Sequence, residues 1–144
     1  MKNKIDVRLI SDKRGLKFLK NQSLIKTTLI NSSTLFKKNI LLKLLSLVSM
    51  FVALIKSIIF LIFNRPNLVF GMGGYSSFHT CIAAKILKIP FIIYENNLII
   101  GKANKYLLPF AKKIFVSRKE VEGISENYRN KIVEVGNIIR EEII

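Results

Sequence analysis

The sequence predicts an α/β fold, a Rossmann-like parallel sheet with helices on both faces. From Asn67 onward, short apolar runs alternate with segments of helical spacing, which is the order that gives parallel strands. Two of the runs, 91–94 and 113–116, are mostly apolar, as strands covered on both faces are. The 144 residues, 50% of them hydrophobic, suffice for one domain with a core and are too few for two ordinary domains. We therefore expect a single domain over residues 1–144.

Each element follows from its local pattern. Residues 4–10 alternate apolar and charged side chains as a strand does, and 26–30 is a second short strand. Residues 40–63 form a nearly unbroken apolar run that we predict to be helical, ended by Arg65-Pro66 because the residue before proline is pushed out of helical geometry. Beyond it we predict strands at 67–71, 90–94, 113–117 and 131–135, alternating with helices at 77–87, 101–111 and 118–127.

The charge of the chain is strongly positive and unevenly distributed. The net charge is +15, and between Lys13 and Tyr94 there are twelve Lys or Arg residues and not one Asp or Glu. Such a distribution favours an anionic partner: a membrane surface, a phosphorylated ligand or a nucleic acid. No nucleic-acid-binding motif is present, so we expect no nucleic-acid partner. The single cysteine, Cys81, excludes an intrachain disulfide and is expected to be a buried thiol; no Cys/His cluster indicates a metal, and no cofactor is predicted.

The 40–63 helix leaves two interpretations open. A span needs about 20 apolar residues, and this run is long enough. However, polar or small residues recur at steps of mostly three or four and would form a narrow stripe on the helix: Asn39, Lys43, Ser46, Ser49, Ala53, Lys56 and Asn64. Lysines within a span are costly, so we favour a helix packed on the sheet or lying in the membrane interface over one that crosses the membrane.

Glycines and polar residues concentrate where two neighbouring strands end. The first strand runs into Gly71-Met-Gly-Gly-Tyr75, and a glycine turn before a helix lets backbone N–H groups approach an anion such as phosphate. Ser77 either caps this helix or contacts a ligand. His79 is predicted in the helix's first turn, as a solvated surface residue.

The second polar strand end is 90–94, which leads into Glu95. This carboxylate is the first acid after Asp12, and the carboxyl ends of parallel strands are where α/β sheets place their sites. Asn97 and Asn104 offer neutral donors and acceptors suited to sugar hydroxyls, and for Asn96 we favour a role in the turn. The two strand ends predict one ligand site.

These residues together resemble one family. They are Gly71-Met-Gly-Gly-Tyr75-Ser-Ser77, Ala83-Ala84, Ile89-Pro90, Glu95-x-Asn97, Gly101-x-x-Asn104-Lys105 and Val135-Gly-Asn137-x-x-Arg140. The family is the peptidoglycan N-acetylglucosaminyltransferase, a family 28 glycosyltransferase of the two-domain GT-B fold. The similarity is detailed over 67–140 and extends to residues 5–63 in layout only.

The resemblance implies an inverting hexosyltransferase that moves N-acetylglucosamine from UDP-N-acetylglucosamine to lipid I, undecaprenyl-diphospho-muramoyl-pentapeptide, giving lipid II. It places the chain in the acceptor-binding domain, at the cytoplasmic face of the bacterial inner membrane as a peripheral protein. The residues that match acceptor-binding positions are Gly73, Gly74, Tyr75, Ser77, Glu95, Asn97 and Asn104. The basic apolar helix matches the membrane-association surface, with Lys43, Phe51, Lys56 and Phe60 as its contacts.

The chain also departs from the family pattern. The first strand and the first glycine loop, with its His, have no counterpart, and a general base is therefore not identified; Glu95 is a weak candidate. Tyr94 stands where the family has His, Asn96 where Gln is usual and Ile138 where Pro is usual. Residues 136–144 match only the start of the linker to a donor domain, through which UDP-N-acetylglucosamine would be reached. We expect an acceptor-domain fragment inactive alone or, alternatively, a non-catalytic membrane-anchoring subunit of a split glycosyltransferase.

Overall fold

The computed structural model describes residues 5–16, 26–30 and 40–138. In chain order the elements are β1 (Arg8–Ser11), α1 (Lys13–Leu16), β2 (Lys26–Leu29), α2 (Ile40–Asn64), β3 (Val69–Gly71), α3 (Gly74–Ile86), β4 (Phe91–Glu95), α4 (Lys102–Leu107), β5 (Lys113–Val116), a 3-10 helix (Glu126–Lys131) and β6 (Ile132–Glu134). The alternation of strands and helices that the sequence predicts is confirmed.

The strands form two parallel sheets. One pairs β1 with β2, and the other has four strands in the order β3-β4-β5-β6. In the larger sheet Val69 lies opposite Phe91, Ile93 opposite Ile114 and Val116 opposite Glu134. Parallel neighbours joined by helices are the arrangement predicted from the sequence, so the α/β fold class is confirmed.

One face of the four-stranded sheet carries the core. Alternate residues of its strands point to this face and are buried: Val69, Gly71, Phe91, Ile93, Ile114 and Val116. Helices α3 and α4 cover this face, and α2 packs against α3. Within the described residues, α3 thus packs on β3 and β4, and α2 packs on the outside of α3.

The face of α2 that packs against the rest of the domain is lined mostly by small residues and not by large hydrophobic ones. Its buried residues are mostly small, namely Ser46, Ala53, Ser57 and Leu61, while large apolar residues such as Phe51 and Phe63 face outward. Ser57 donates a hydrogen bond to the carbonyl of Ala53 at 2.9 Å and lies 3.5 Å from the hydroxyl of Thr80 on α3. The stripe expected to be the polar side of the helix thus supplies much of its packing side, because small side chains let two helices approach closely.

The predicted helix at 118–127 is wrong. The backbone of Glu122 instead bonds to the loop after β4, with its N–H donating to Leu98 and its carbonyl accepting from Ile100. Gly123 has φ +82°, a left-handed conformation that interrupts a helix. Val121 and Ile124 are three residues apart, as on one face of a helix, but their buried side chains belong to an irregular segment. A 3-10 helix begins only at Glu126.

Candidate functional site

The turn between β3 and α3 needs its glycines for different reasons. Gly73 (φ 81°, ψ 177°) and Gly74 (φ +75°) adopt backbone conformations that side-chain-bearing residues rarely take. Gly71 is instead a packing requirement, because a Cβ there would lie 2.6 Å from the sulfur of Cys81. The turn therefore brings its backbone close both to the helix and to the space beyond the strand ends.

The N-terminus of α3 has no side-chain cap. Gly73 is the N-cap residue, and no side-chain hydrogen bond closes the first turn. Ser77 was one candidate cap, and this interpretation is wrong: α3 begins three residues earlier than predicted, and the Ser77 hydroxyl donates back to the carbonyl of Gly73 at 2.7 Å. Backbone N–H groups that lack a cap, together with the helix dipole, suit an anionic group.

Glu95 lies at the end of β4 and is almost completely buried, with 3% of its surface exposed. Its Oε1 accepts from the backbone N–H of Asn97 at 3.0 Å and from the side-chain amide of Asn97 at 2.7 Å. Its Oε2 accepts from the N–H of Gly101 at 2.9 Å and from the amide of Asn104 at 2.9 Å. Four donors fix this carboxylate, so the geometry favours Glu95 as the residue that orients the 96–101 loop rather than as a free base.

Asn104 connects this cluster to the glycine turn. Its amide group donates to the carbonyl of Tyr94 at 3.0 Å as well as to Glu95. A Cβ added at Gly73 would lie 3.6 Å from the same amide nitrogen. The Oδ1 atom of Asn104 is buried without a hydrogen-bond partner among the described residues. The glycine turn and the Glu95–Asn104 cluster are therefore adjacent at the carboxyl ends of β3 and β4.

Tyr94 has a contact that sequence patterns did not reveal. Its hydroxyl lies 3.0 Å from Oδ1 of Asn96 and 3.1 Å from the carbonyl of Gly136, and it accepts from the N–H of Ile138 at 3.1 Å. Tyr94 thereby holds the segment after β6 against the end of β4. The only indication of this contact in the sequence was that Tyr94 occupies a position where the resembling family has histidine.

His79 is buried, with 2% of its surface exposed, so the expectation of a solvated surface residue is wrong. Because α3 begins at Gly74, His79 falls in the second turn of the helix and not in the first. Neither ring nitrogen has a hydrogen-bond partner among the described residues, and burial lowers the pKa of the imidazole. Cys81 is buried as expected, and desolvation raises the pKa of its thiol to about 12, so it is inert at neutral pH.

Of the four residues of α2 expected at a membrane surface, three are exposed and one packs against the core. Lys43 and Lys56 are exposed, and Phe51 is 63% exposed. Phe60 differs from that expectation, because it is half-buried and packs against the core. By length and composition, α2 is able to cross a membrane. Within residues 5–16, 26–30 and 40–138, no three His, Cys, Asp or Glu side chains are grouped as a metal site.

Comparisons with known proteins show similarity in sequence and in fold. Residues 1–116 match the family model described as the glycosyltransferase family 28 N-terminal domain. Two curated relatives are both UDP-N-acetylglucosamine–N-acetylmuramyl-(pentapeptide) pyrophosphoryl-undecaprenol N-acetylglucosamine transferases. The protein of Rickettsia canadensis is 40% identical over 92 residues, covering 64% of this chain and 26% of the relative. The protein of Pelagibacter ubique is 30% identical over 141 residues, covering 98% of this chain and 39% of the relative.

A solved structure has the same fold. The crystal structure of Acinetobacter baumannii MurG superposes with a TM-score of 0.65 at 22% identity, covering 92% of this chain and 36% of that one. The chain thus spans between about a quarter and two fifths of the length of these relatives. The similarity lies in the part of the relatives that contains the family 28 N-terminal domain.

Proposed function

The chain belongs to glycosyltransferase family 28, with the N-terminal domain of that family over residues 1–116, and we propose that it forms the acceptor-binding half of a transferase. The acceptor is lipid I, a polyprenyl diphosphate that carries a muramoyl-pentapeptide, and the reaction transfers N-acetylglucosamine from UDP-N-acetylglucosamine to make lipid II. In this proposal the described residues supply the acceptor side of the reaction, and the donor nucleotide binds outside the region that matches the N-terminal domain.

One observation carries the proposal: the uncapped N-terminus of α3 lies next to the Glu95–Asn104 cluster, and the acceptor is proposed to bind in a cleft between them. The helix terminus provides N–H donors for the diphosphate of the acceptor. Asn97 and the unpartnered Oδ1 of Asn104 lie on the other wall, where sugar hydroxyls require neutral donors and acceptors. Glu95 keeps both asparagines in place and does so without contacting the acceptor.

The diphosphate site is tested with a substitution that adds a negative charge at the N-terminus of α3 without destabilising the fold. Ser76 lies in the first turn of α3 and is half-buried, so Ser76→Asp places a carboxylate beside the N–H groups. The helix dipole favours an acid there, and we expect unchanged or slightly higher stability. Repulsion between the carboxylate and the diphosphate lowers the affinity for a soluble lipid I analogue by about tenfold or more, measured by calorimetry.

The control variant is Asn130→Asp, which adds the same charge at an exposed residue of the 3-10 helix. It is expected to bind the analogue as the wild type does. If Ser76→Asp binds as tightly as Asn130→Asp, the diphosphate does not occupy the α3 terminus and the proposed acceptor site fails. On the opposite wall, Asn104→Leu keeps the volume but removes the amide, and it is expected to weaken the same analogue while leaving the affinity for inorganic pyrophosphate unchanged.

A second candidate function, a non-catalytic membrane-anchoring subunit of a split glycosyltransferase, follows from the outward apolar face of α2. Large side chains are exposed along the whole helix, for example Leu44, Phe51, Ile55 and Phe63. The same helix packs on α3 through Ala53 and Ser57, so it is part of the folded domain and is not surrounded by lipid on all sides. We therefore propose peripheral attachment to the cytoplasmic face of an anionic membrane in either case.

A further inference from the structure

A groove of about 510 Å³ lies between α2 and α3, outside the cleft described above. Its lining includes Leu47, Phe51 and Leu54 on α2, and Phe78, His79 and Ile82 on α3. Its volume is in the range of about 300–1,000 Å³ that ligand sites occupy. The lining is apolar apart from His79, so an apolar chain fits the groove and a charged ligand does not.

His79 is the observation that separates this groove from an ordinary gap between helices. Its ring is buried, and neither nitrogen has a hydrogen-bond partner in the described part of the chain. Buried polar atoms in native proteins nearly always have a hydrogen-bond partner. A buried imidazole that lines a groove and has no such partner therefore indicates that a ligand supplies the hydrogen bond. The neutral ring provides one N–H donor and one acceptor, and side chains on a helix lean toward its N-terminus.

The groove is lined by residues of α3, the helix that follows the glycine turn, beginning at Phe78, four residues after Gly74. Helix α2 ends five residues before β3, and α3 ends five residues before β4, whose first residue Phe91 pairs with Val69 of β3. Both helices thus end at the same edge of the sheet and run in the same direction. Ser57 lies beside Thr80, so Phe51, six residues earlier on α2, is level with Gly74, six residues earlier on α3. The apolar wall therefore begins where the anion would bind.

We propose that this groove holds the first isoprene units of the polyprenyl diphosphate acceptor, and that His79 donates an N–H to the oxygen joining the chain to its phosphate. The inference rests on the proposed function, because it needs the diphosphate at the N-terminus of α3. The order of groups then matches the ligand: N–H donors for the diphosphate, one donor for the ester oxygen, and apolar walls for the chain. The rest of the chain continues along the exposed apolar face of α2.

The test compares three soluble diphosphates that differ only in their chain: inorganic pyrophosphate, geranyl diphosphate and farnesyl diphosphate. We expect affinity to rise from pyrophosphate to the prenyl compounds by about tenfold or more, because several methylene groups become buried. Phe51→Ser should remove most of this increase and leave pyrophosphate binding unchanged. The control is Phe63→Ser, a more exposed phenylalanine on α2 that does not line the groove, and it should behave as the wild type.

The role of His79 is tested separately with His79→Phe, which keeps an aromatic ring and removes both nitrogens. A structural role predicts lower stability, whereas a ligand-binding role predicts higher stability of the free protein together with several-fold weaker binding of farnesyl diphosphate. A less stable variant with unchanged farnesyl diphosphate affinity would overturn the assignment of His79.

The outcomes distinguish this inference from the proposed function. If none of the three diphosphates binds, the anion site itself fails. If pyrophosphate binds and the prenyl chain adds nothing, the anion site stands and the groove does not hold the chain. If lysophosphatidylglycerol, used below its micellar concentration, is as effective as pyrophosphate in displacing farnesyl diphosphate, the groove accepts membrane lipids in general. The inference is then overturned.

Discussion

At the scale of single residues, the buried polar atoms that lack a partner mark the proposed ligand path. Among the described residues, these side-chain atoms are the two ring nitrogens of His79 and Oδ1 of Asn104. His79 lies on the groove side of the glycine turn, and Asn104 lies on its cleft side. Glu95, by contrast, is buried and fully bonded. The fully bonded carboxylate stabilises the fold, while the unbonded atoms cost stability and are explained by a ligand.

The titration of His79 gives a prediction about stability and pH. Burial lowers the pKa of His79 below its ordinary value of 6.5, so the unfolded chain binds a proton more readily than the folded chain does. Stability is therefore complete above about pH 6.5 and falls as the pH decreases below it. We expect His79→Phe to gain more free energy of unfolding over the wild type at pH 5 than at pH 8, measured by urea denaturation.

The remaining described groups near His79 are apolar or neutral, so the pH effect should depend on this ring alone. Equal gains at pH 5 and pH 8 would contradict the prediction, because the variant would then act only through packing. Cys81 does not interfere, since its thiol pKa of about 12 lies far outside this range.

At the scale of elements, α2 is unusual because small residues face the core and large apolar residues face outward. Its spacing predicted a helix and a stripe, but the stripe is divided: Ser46 and Ala53 are buried on the packing side, while Lys43 and Lys56 are exposed. The physical reason is that a stripe of Ser and Ala serves equally well as a close contact surface or as a weakly polar face. The contact surface and the solvent-facing surface are distinguished only by the structure, in which the larger side chains face outward.

This packing predicts a sharp difference between neighbouring residues of α2. Ser57 is fully buried against Thr80, so Ser57→Leu forces the helices apart and should lower the free energy of unfolding by about 1–3 kcal/mol. Lys56 is exposed, and Lys56→Leu should change the free energy of unfolding by less than about 0.5 kcal/mol. Denaturant unfolding of both variants is the measurement. Similar losses for the two variants would mean that α2 does not pack on α3 through this face.

At the scale of the whole molecule, α3 packs on the four-stranded sheet and α2 packs on α3, so α2 is the more peripheral of these two helices. Its exposed apolar residues and the excess of basic residues before Tyr94 belong to the same part of the chain. Apolar side chains that enter the interface, with lysines near the lipid headgroups, give attachment that is reversible and depends on anionic lipid.

We therefore expect the chain to bind vesicles that contain phosphatidylglycerol and to be released from membranes by alkaline carbonate. Replacing the two exposed lysines together, Lys43→Glu and Lys56→Glu, should reduce vesicle binding by about 30-fold or more, since each basic residue contributes about 1 kcal/mol near an anionic surface. Lys112→Glu and Lys113→Glu, exposed at the start of β5, form the control pair. Retention of the chain in carbonate would instead show that α2 spans the membrane.

The sequence by itself determined the fold class, the order of the strands along the chain and the glycine turn. These features follow from local rules: apolar runs of strand length, helical spacing, and glycines where the backbone must take a left-handed conformation. It also placed Glu95, Asn97 and Asn104 at one strand end, because a strand's carboxyl end can be read from where its apolar run stops.

Only the tertiary structure decided what each of these groups touches. It showed that Glu95 is fully hydrogen-bonded, that His79 is buried with no partner among the described residues, and that Glu122 pairs with the 98–100 loop where a helix was predicted. It also decided which side of α2 faces α3. Periodicity fixes which residues share a face, but burial and hydrogen bonding depend on what lies opposite that face, and this is set by residues distant in the sequence.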